Sequence, residues 1–210
     1  NPELERVLVS IDFNIKNKLD DGKLKELLSH YSKHRLRTSD FERPDLLGAA
    51  YEYLIKMFAD SAGKKGGECY TPSEVVKLLV ELIKPQAGQK VYDPTCGSGG
   101  MLIQTRNYLM SHGENPSDLL LCGQERNLST WAICKLNMFL HGVRGADIKQ
   151  GDTLGNPLHK EDHGIMRFDR VIANPPFSLK KWGREEAEGD KYGRYRFGIP
   201  PKDAGDLAFV

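Results

Sequence analysis

Apolar residues change their spacing near residue 90. Before it they recur every three or four positions: Leu4, Val7, Leu8 and Ile11, then Leu24, Leu27, Leu28 and Tyr31, then Leu46, Leu47, Ala50, Tyr51, Leu54, Ile55 and Phe58. That spacing lines one face of a helix, so residues 1–63 are predicted to be a helical domain. Asp45, just after Pro44, is the expected N-cap of the third helix, and Gly63 to Gly67 reads as a flexible joint. A further helix is predicted from Val75 through Leu82 to Lys84. Thr71, Pro72 and Glu74 form a capping box at its start, which accounts for those three residues but not for Glu68, Cys69 and Tyr70 leading in.

Beyond residue 90 short apolar runs alternate with helical patterns. Strands are predicted at Val91 to Asp93, Leu119 to Glu125, around Ile148, and at Phe168 to Ala173. Helices are predicted at Met101 to Ser111 and Trp131 to His141. Alternating strand and helix implies an open parallel α/β sheet, here across residues 64–210.

Composition narrows the class. The 210 residues are 39% hydrophobic and 28% charged, as in ordinary globular proteins. No apolar run reaches membrane-spanning length and no signal peptide opens the chain, so a cytoplasmic protein with no membrane partner is expected. Cys69, Cys96, Cys122 and Cys134 form no CxxC pair and no Cys/His metal spacing, so reduced thiols and no metal are expected. A net charge of +1 does not mark a strong nucleic-acid binder, so any DNA contact must be local or shared with a partner.

The candidate chemistry sits at the strand ends. Asp93 is followed by a turn carrying Gly97, Ser98, Gly99 and Gly100 and then by a helix. Such a turn lets a ligand approach the backbone and the free N–H groups of the helix start. No lysine serves a phosphate loop, and Leu102 stands where the third glycine of a dinucleotide fingerprint belongs. A carboxylate at the mouth repels a pyrophosphate and attracts a cation, which favours an adenosyl cofactor with sulfonium and ammonium groups. An ordinary tight turn is the plainer alternative. Glu125 ends the second strand and either accepts ribose hydroxyls or caps the next helix; the pattern admits both. Asp152 follows the third strand, so that three carboxylates would rim one ligand.

The fourth strand runs into Asn174, Pro175, Pro176 and Phe177. An Asn side-chain oxygen and the first proline's carbonyl can accept both N–H bonds of an exocyclic amine on a planar ring. Holding those bonds frees the nitrogen lone pair for in-line attack on a methyl group, while Phe177 stacks on a base drawn out of its duplex. The bland alternative is a proline turn with a core phenylalanine.

The run Asp93 to Gly100 followed by Asn174 to Phe177 resembles the amino-group DNA methyltransferases that use S-adenosylmethionine, and the motif order resembles their N6-adenine class. The helical unit, with Arg43 to Gly48 and Tyr51 to Leu54, is similar to the modification subunit of type I restriction-modification systems. The resemblance implies a Rossmann-like methyltransferase sheet and site-specific methylation of adenine N6 in double-stranded DNA. It also implies partnership with a specificity subunit and often a restriction subunit. By the same resemblance Glu68, Cys69, Tyr70, Thr71, Pro72 and Ser73 pack on the cofactor, Asp93 with Gly97 to Gly100 cradle it, Glu125 holds its ribose and Asp152 lies by its adenine. Asn174, Pro175, Pro176 and Phe177 would bind the target amine.

The family's sheet has seven strands and only four can be placed here. The expectation is therefore a C-terminally incomplete catalytic domain with its fourth strand at an open edge, weakly active or inactive alone. Leu179 to Asp203 is expected to be a long, mobile polar loop that closes over the extruded base. Two other readings stay open: methylation of a protein glutamine amide, and a non-catalytic cofactor-binding subunit.

Overall fold

The computed structural model describes residues 2–9, 20–35, 37, 40, 46–62, 70–162 and 164–210. The helices are α1 (Asp21–Tyr31), α2 (Leu46–Ala62), α3 (Ser73–Ile83), α4 (Gly100–Ser111), α5 (Leu128–Leu140) and the short α6 (Arg184–Glu188). The strands are β1 (Lys90–Asp93), β2 (Leu120–Glu125), β3 (Asp147–Gln150), β4 (Lys160–Glu161), β5 (Gly164–Ile165) and β6 (Arg170–Val171).

Four strands make one parallel sheet in the order β3-β2-β1-β6. The chain builds outward from β1 to β2 and β3, then crosses back to the other side of β1 as β6. Strand order thus reverses between β1 and β6, and in such sheets ligands bind beyond the strand C-termini at that point. Backbone bonds from Asp169 and Ile172 to β1, at 2.9 and 3.0 Å, extend β6 close to the predicted span.

Strand side chains alternate between the two faces of the sheet. Val91, Leu121, Ile148 and Ile172 share one face and are buried in one core with Leu102 and Ile103 of α4 and Trp131, Ala132, Cys134 and Met138 of α5. On the other face the Tyr92 ring stacks on Phe168 at 4.4 Å. The Trp131 indole donates to the Ile148 carbonyl at 3.0 Å, which satisfies its one polar group inside the core. An unpredicted two-strand antiparallel sheet, β4 with β5, fills the connection ahead of β6.

The N-terminal helices depart from expectation. Leu4 and Val7 lie in a short 3₁₀ turn with following turns, not a regular helix, yet Val7 is buried and joins the main core. Ile11, Pro44, Asp45 and the Gly63–Gly67 joint lie outside the described residues. Helix α1 forms where predicted, capped by Asp20, whose carboxylate accepts the Lys23 N–H at 2.9 Å. Its stripe of Leu27, Leu28 and Tyr31 nevertheless stays exposed. Helix α2 packs on α5, with Ile55 buried and Gly48 pressed against the His141 ring, while Phe58 is exposed.

The capping box is also corrected. Helix α3 begins at Ser73 with Pro72 in the cap position and no side-chain cap bond. Thr71 therefore lies one residue outside the cap, and its hydroxyl is engaged across the fold instead. Glu74 turns its carboxylate onto its own N–H and the Ser73 hydroxyl, which holds it below the usual carboxylate range.

The segment after Leu179, expected to be a long polar loop, carries a small packed core of its own. Trp182 and Ala187 are buried against Leu154, with Tyr195 and Ile199 packed around them. Arg194 reaches back to the carbonyls of Thr153 and Leu154 at 3.2 and 2.9 Å. Apolar side chains at irregular intervals gave the segment a small core that its polar composition concealed. Among the described residues no helix is long and apolar enough to cross a membrane.

Candidate functional site

A cleft opens where the sheet reverses. Its floor is Asp93 at the end of β1 with the turn that follows, and one wall is α4. Across it stand Tyr70, Thr71 and Ser73 at the start of α3, Asn174 just after β6, and Glu52 and Ile55 from α2.

The glycine turn is pinned from several sides. Asp93 accepts the Thr95 N–H at 3.0 Å, and the Thr153 hydroxyl donates to the Pro94 carbonyl at 2.6 Å. Buried Asn137 of α5 donates to the Ser98 carbonyl at 3.0 Å. Gly99 holds φ at +83°, and a Cβ there would stand 2.8 Å from the Cys134 sulfur, so both geometry and packing require glycine. A Cβ on Gly100 would meet nothing within 4 Å, so the helix start faces open space.

Asp93 is 2% exposed. Burial, with the Glu125 charge adding to it, pushes its carboxyl up to about 7 against the opposing Thr95 bond. No basic side chain pairs with it among the described residues. An uncompensated buried carboxylate facing a cleft is a receptor for a cation.

Asn174 donates its side-chain amide to the Thr71 hydroxyl at 3.2 Å. That bond orients the amide, because an Asn that donates from Nδ2 on one side presents Oδ1 on the other. Pro175 and Pro176 are half-buried, and Phe177 leaves 78% of its surface in solvent. Of the tetrad, Asn174 lines the cleft and Pro175, Pro176 and Phe177 do not; the run combines an oriented amide, a stiff backbone and an open aromatic face.

The structure brings together Tyr70, Thr71, Ser73, Asp93, Gly97, Ser98, Gly100 and Asn174 in the cleft wall. Pro72 is exposed beside it, while Glu68 and Cys69 lie outside the described residues. The other two carboxylates do not join Asp93 there. Glu125 accepts the Gly97 N–H at 3.1 Å and the Asn127 N–H at 2.8 Å, so it ties the glycine turn to the end of β2. It does not cap α5, because Asn127 does, accepting from Ser129 and Thr130 at 2.9 and 3.2 Å. Asp152 accepts the Leu154 N–H at 3.0 Å and lies 3.6 Å from Arg126, further along the strand ends.

Sequence reasoning missed Glu52 and Ile55 of α2, and Gln104 and Asn107 of α4. The last two were findable, as polar residues three apart on one face of a mostly apolar helix. Elsewhere Cys122, Asp147 and His159 bring ligand atoms within 4.8 Å of one another. The Lys149 ammonium already holds Asp147 at 3.2 Å, and burial pushes the Cys122 thiol up to about 11, so this cluster does not invite a cation.

A parallel sheet with a cation-seeking cleft at its reversal and an amide-and-proline clamp on the rim defines a Rossmann-like domain of the methyltransferase type. The chain belongs to the N-6 DNA Methylase family, whose sequence pattern matches residues 42–210. It is 36% identical over 166 residues to the HindI type I restriction enzyme methylase subunit of Haemophilus influenzae, covering 79% of this chain and 36% of that one. It is 40% identical over 174 residues to the MjaVIII methylase subunit of Methanocaldococcus jannaschii, covering 79% and 29%. Its fold is similar to the type I restriction-modification methyltransferase subunit of Streptococcus thermophilus, with a TM-score of 0.80 and 28% identity over all of this chain and 44% of that one. The chain thus spans about a third of the length of the curated relatives it matches.

Proposed function

We propose that this chain carries the cofactor cleft and target clamp of an adenine-N6 DNA methyltransferase, as part of the modification subunit of a type I restriction-modification system. One observation carries the reading: Asp93 and Asn174, from neighbouring strands on either side of the reversal, line the same cleft. Its partners in this reading are double-stranded DNA, a specificity subunit and a restriction subunit, in the cytoplasm.

S-adenosylmethionine, when bound, supplies an electrophilic methyl group on a sulfonium. The donors present suit it. Asp93 offers a buried negative charge to the ligand's cationic end, and the Gly97–Gly100 turn lets it approach the backbone. Tyr70, Thr71 and Ser73 close the cleft from the α3 side, and Glu125 and Asp152 stand further along the strand ends, where the nucleoside would extend. Cys69 and Glu68, just upstream, belong to the same closing segment in this reading.

At the target, Asn174 Oδ1 and the Pro175 carbonyl accept the two amine hydrogens of adenine. Holding both hydrogens would withdraw the nitrogen lone pair from the ring and free it for attack on a methyl group, whose bond to sulfur would break as the new bond forms and the amine lost a proton to solvent. The Thr71 bond keeps Asn174 from rotating its amide and offering a donor instead. Pro176 stiffens the backbone behind the carbonyl, and Phe177 stacks on the extruded base. We also propose that the helical unit to residue 63 and the catalytic unit from residue 64 work jointly at the cleft, since Glu52 and Ile55 of α2 line it.

The test is transfer of a radiolabelled methyl group from S-adenosylmethionine to duplex DNA, with the chain assembled with its specificity subunit and the product base identified. Label on adenine N6, lost in Asn174→Ala while cofactor binding persists, is the expected result. Label on protein, on cytosine or nowhere rejects the reading.

A further inference from the structure

The segment after the clamp closes on itself. It leaves the site directly behind Phe177 and returns, with Ser178 N–H donating to Asp206 at 2.9 Å and Gly205 N–H donating to the Leu179 carbonyl at 3.1 Å. Inside this closed excursion the Trp182 indole donates to the Pro201 carbonyl at 2.9 Å, and Arg194 is bonded to the turn after β3. Tyr195 and Ile199 both pack on the Leu154–Trp182–Ala187 cluster.

Between those two packed residues the chain turns outward. Phe197 is 90% exposed, the Arg196 guanidinium lies 4.6 Å from its ring centroid, and Gly198 takes φ of +131° to bring the chain back. An aromatic ring held in water by packed neighbours on both sides is a presented ring, not a frayed one. The charges around it are sorted. Arg184 pairs with Glu188, Arg194 with Asp190 and Lys202 with Glu185, which neutralises three bases with three acids. Among the described residues Lys180, Lys181, Lys191 and Arg196 have no carboxylate within salt-bridge distance, against Glu186, Asp203 and Asp206 on the acidic side, and Asp206 is held at the closure by the Ser178 N–H. The excursion therefore offers a small excess of positive charge, with Arg196 beside an open ring, on a base rooted at the clamp.

We propose that the Arg196–Phe197 tip is a nucleic-acid contact that holds the opened strand beside the target base. Arg196 takes a phosphate, and Phe197 stacks on a base left without its partner, an interaction that any base can make. The inference rests on the methyltransferase reading for its choice of partner and adds a contact surface outside the cleft.

The test uses the chain with fluorescent oligonucleotides, read by anisotropy: a fully paired short duplex, the same duplex with a central mismatch, and a single strand. Phe197→Ala is expected to weaken binding of the mismatched duplex and the single strand about tenfold. Phe197→Trp should restore it. Arg196→Ala should lower the slope of log affinity against log salt by about 0.9, the loss of one phosphate contact. Cofactor affinity and thermal midpoint should stay at parent values in all three variants.

Three outcomes overturn the proposal. One is no oligonucleotide binding by the parent at about 50 mM salt. Another is equal binding by parent and Phe197→Ala. The third is a concentration-dependent dimer that Phe197→Ala abolishes, which would assign the tip to a second copy of this chain. None of these touches S-adenosylmethionine binding by the parent, whose failure would sink the cleft reading instead.

Discussion

Asp93 is the residue whose physics is most exposed to measurement. Burial pushes its carboxyl up to about 7, above the ordinary carboxylate range, so the folded chain holds this proton more tightly than the unfolded one. The sign follows: its cost to stability is absent at low pH, grows as pH rises through that window and is fully present above about 7. Asp93→Asn keeps an acceptor for Thr95 without the charge, and should stabilise the ligand-free chain at pH 8 by about 2–4 kcal/mol in urea unfolding. Equal stability of the two would mean that the carboxylate is solvated. Thr71 gives a second prediction. Under the proposed function, Thr71→Val should lower methyl transfer by the chain assembled with its specificity subunit about tenfold, the worth of one hydrogen bond in an oriented site, and Thr71→Ser should recover most of it. An unaffected Thr71→Val rate would mean that Asn174 is oriented by something else. Thr71 was misread as a cap because its actual partner is 103 residues away, and no local pattern encodes that pairing. Asp93 and Asn174 were legible because each sits where an apolar run stops, at a strand's C-terminal end.

At the scale of elements, the strands and core helices were legible because burial of one sheet face under helices puts apolar residues at the inward strand positions and at 3.6-residue periods on the helices. Leu102, fully buried in α4, carries the expected penalty: Leu102→Ala should cost about 2–5 kcal/mol by denaturant unfolding. A loss below about 1 kcal/mol would contradict the packing of α4 on the sheet. The segment behind the clamp was not legible. Its small core is assembled from Leu154, Trp182, Ala187, Tyr195 and Ile199, whose spacing matches neither period. Arg194 is its fastening, with bonds to Asp190, Thr153 and Leu154. Arg194→Ala should make the chain markedly more sensitive to trypsin at Lys191 and Arg196 under native conditions, with little change in the global midpoint. Unchanged cleavage would mean that the packed side chains suffice. The β4–β5 pair was missed for a simpler reason: strands of two residues carry no period at all.

For the whole molecule, position follows from connectivity. Because the chain returns to the far side of β1, two strand ends from distant parts of the sequence face each other across one opening. The carboxylate comes from one end and the amide from the other, with α2 and the start of α3 closing the space. The reversal was not visible in the sequence, where strand order cannot be read, although the alternation of strand and helix already implied a parallel sheet. The three carboxylates of the expected rim have different partners within the chain. Asp93 faces the cleft, Glu125 braces the glycine turn, and Asp152 sits in its own turn beside Arg126.

Calorimetric titration of S-adenosylmethionine into the purified chain between pH 6 and 8 tests the central claim most directly. One site should bind, with affinity rising as pH approaches about 7 and levelling above it, because the cation must displace the Asp93 proton. In Asp93→Asn the affinity should fall and its pH dependence should vanish. No binding by the parent, or binding that is as strong in Asp93→Asn and indifferent to pH, would contradict the account.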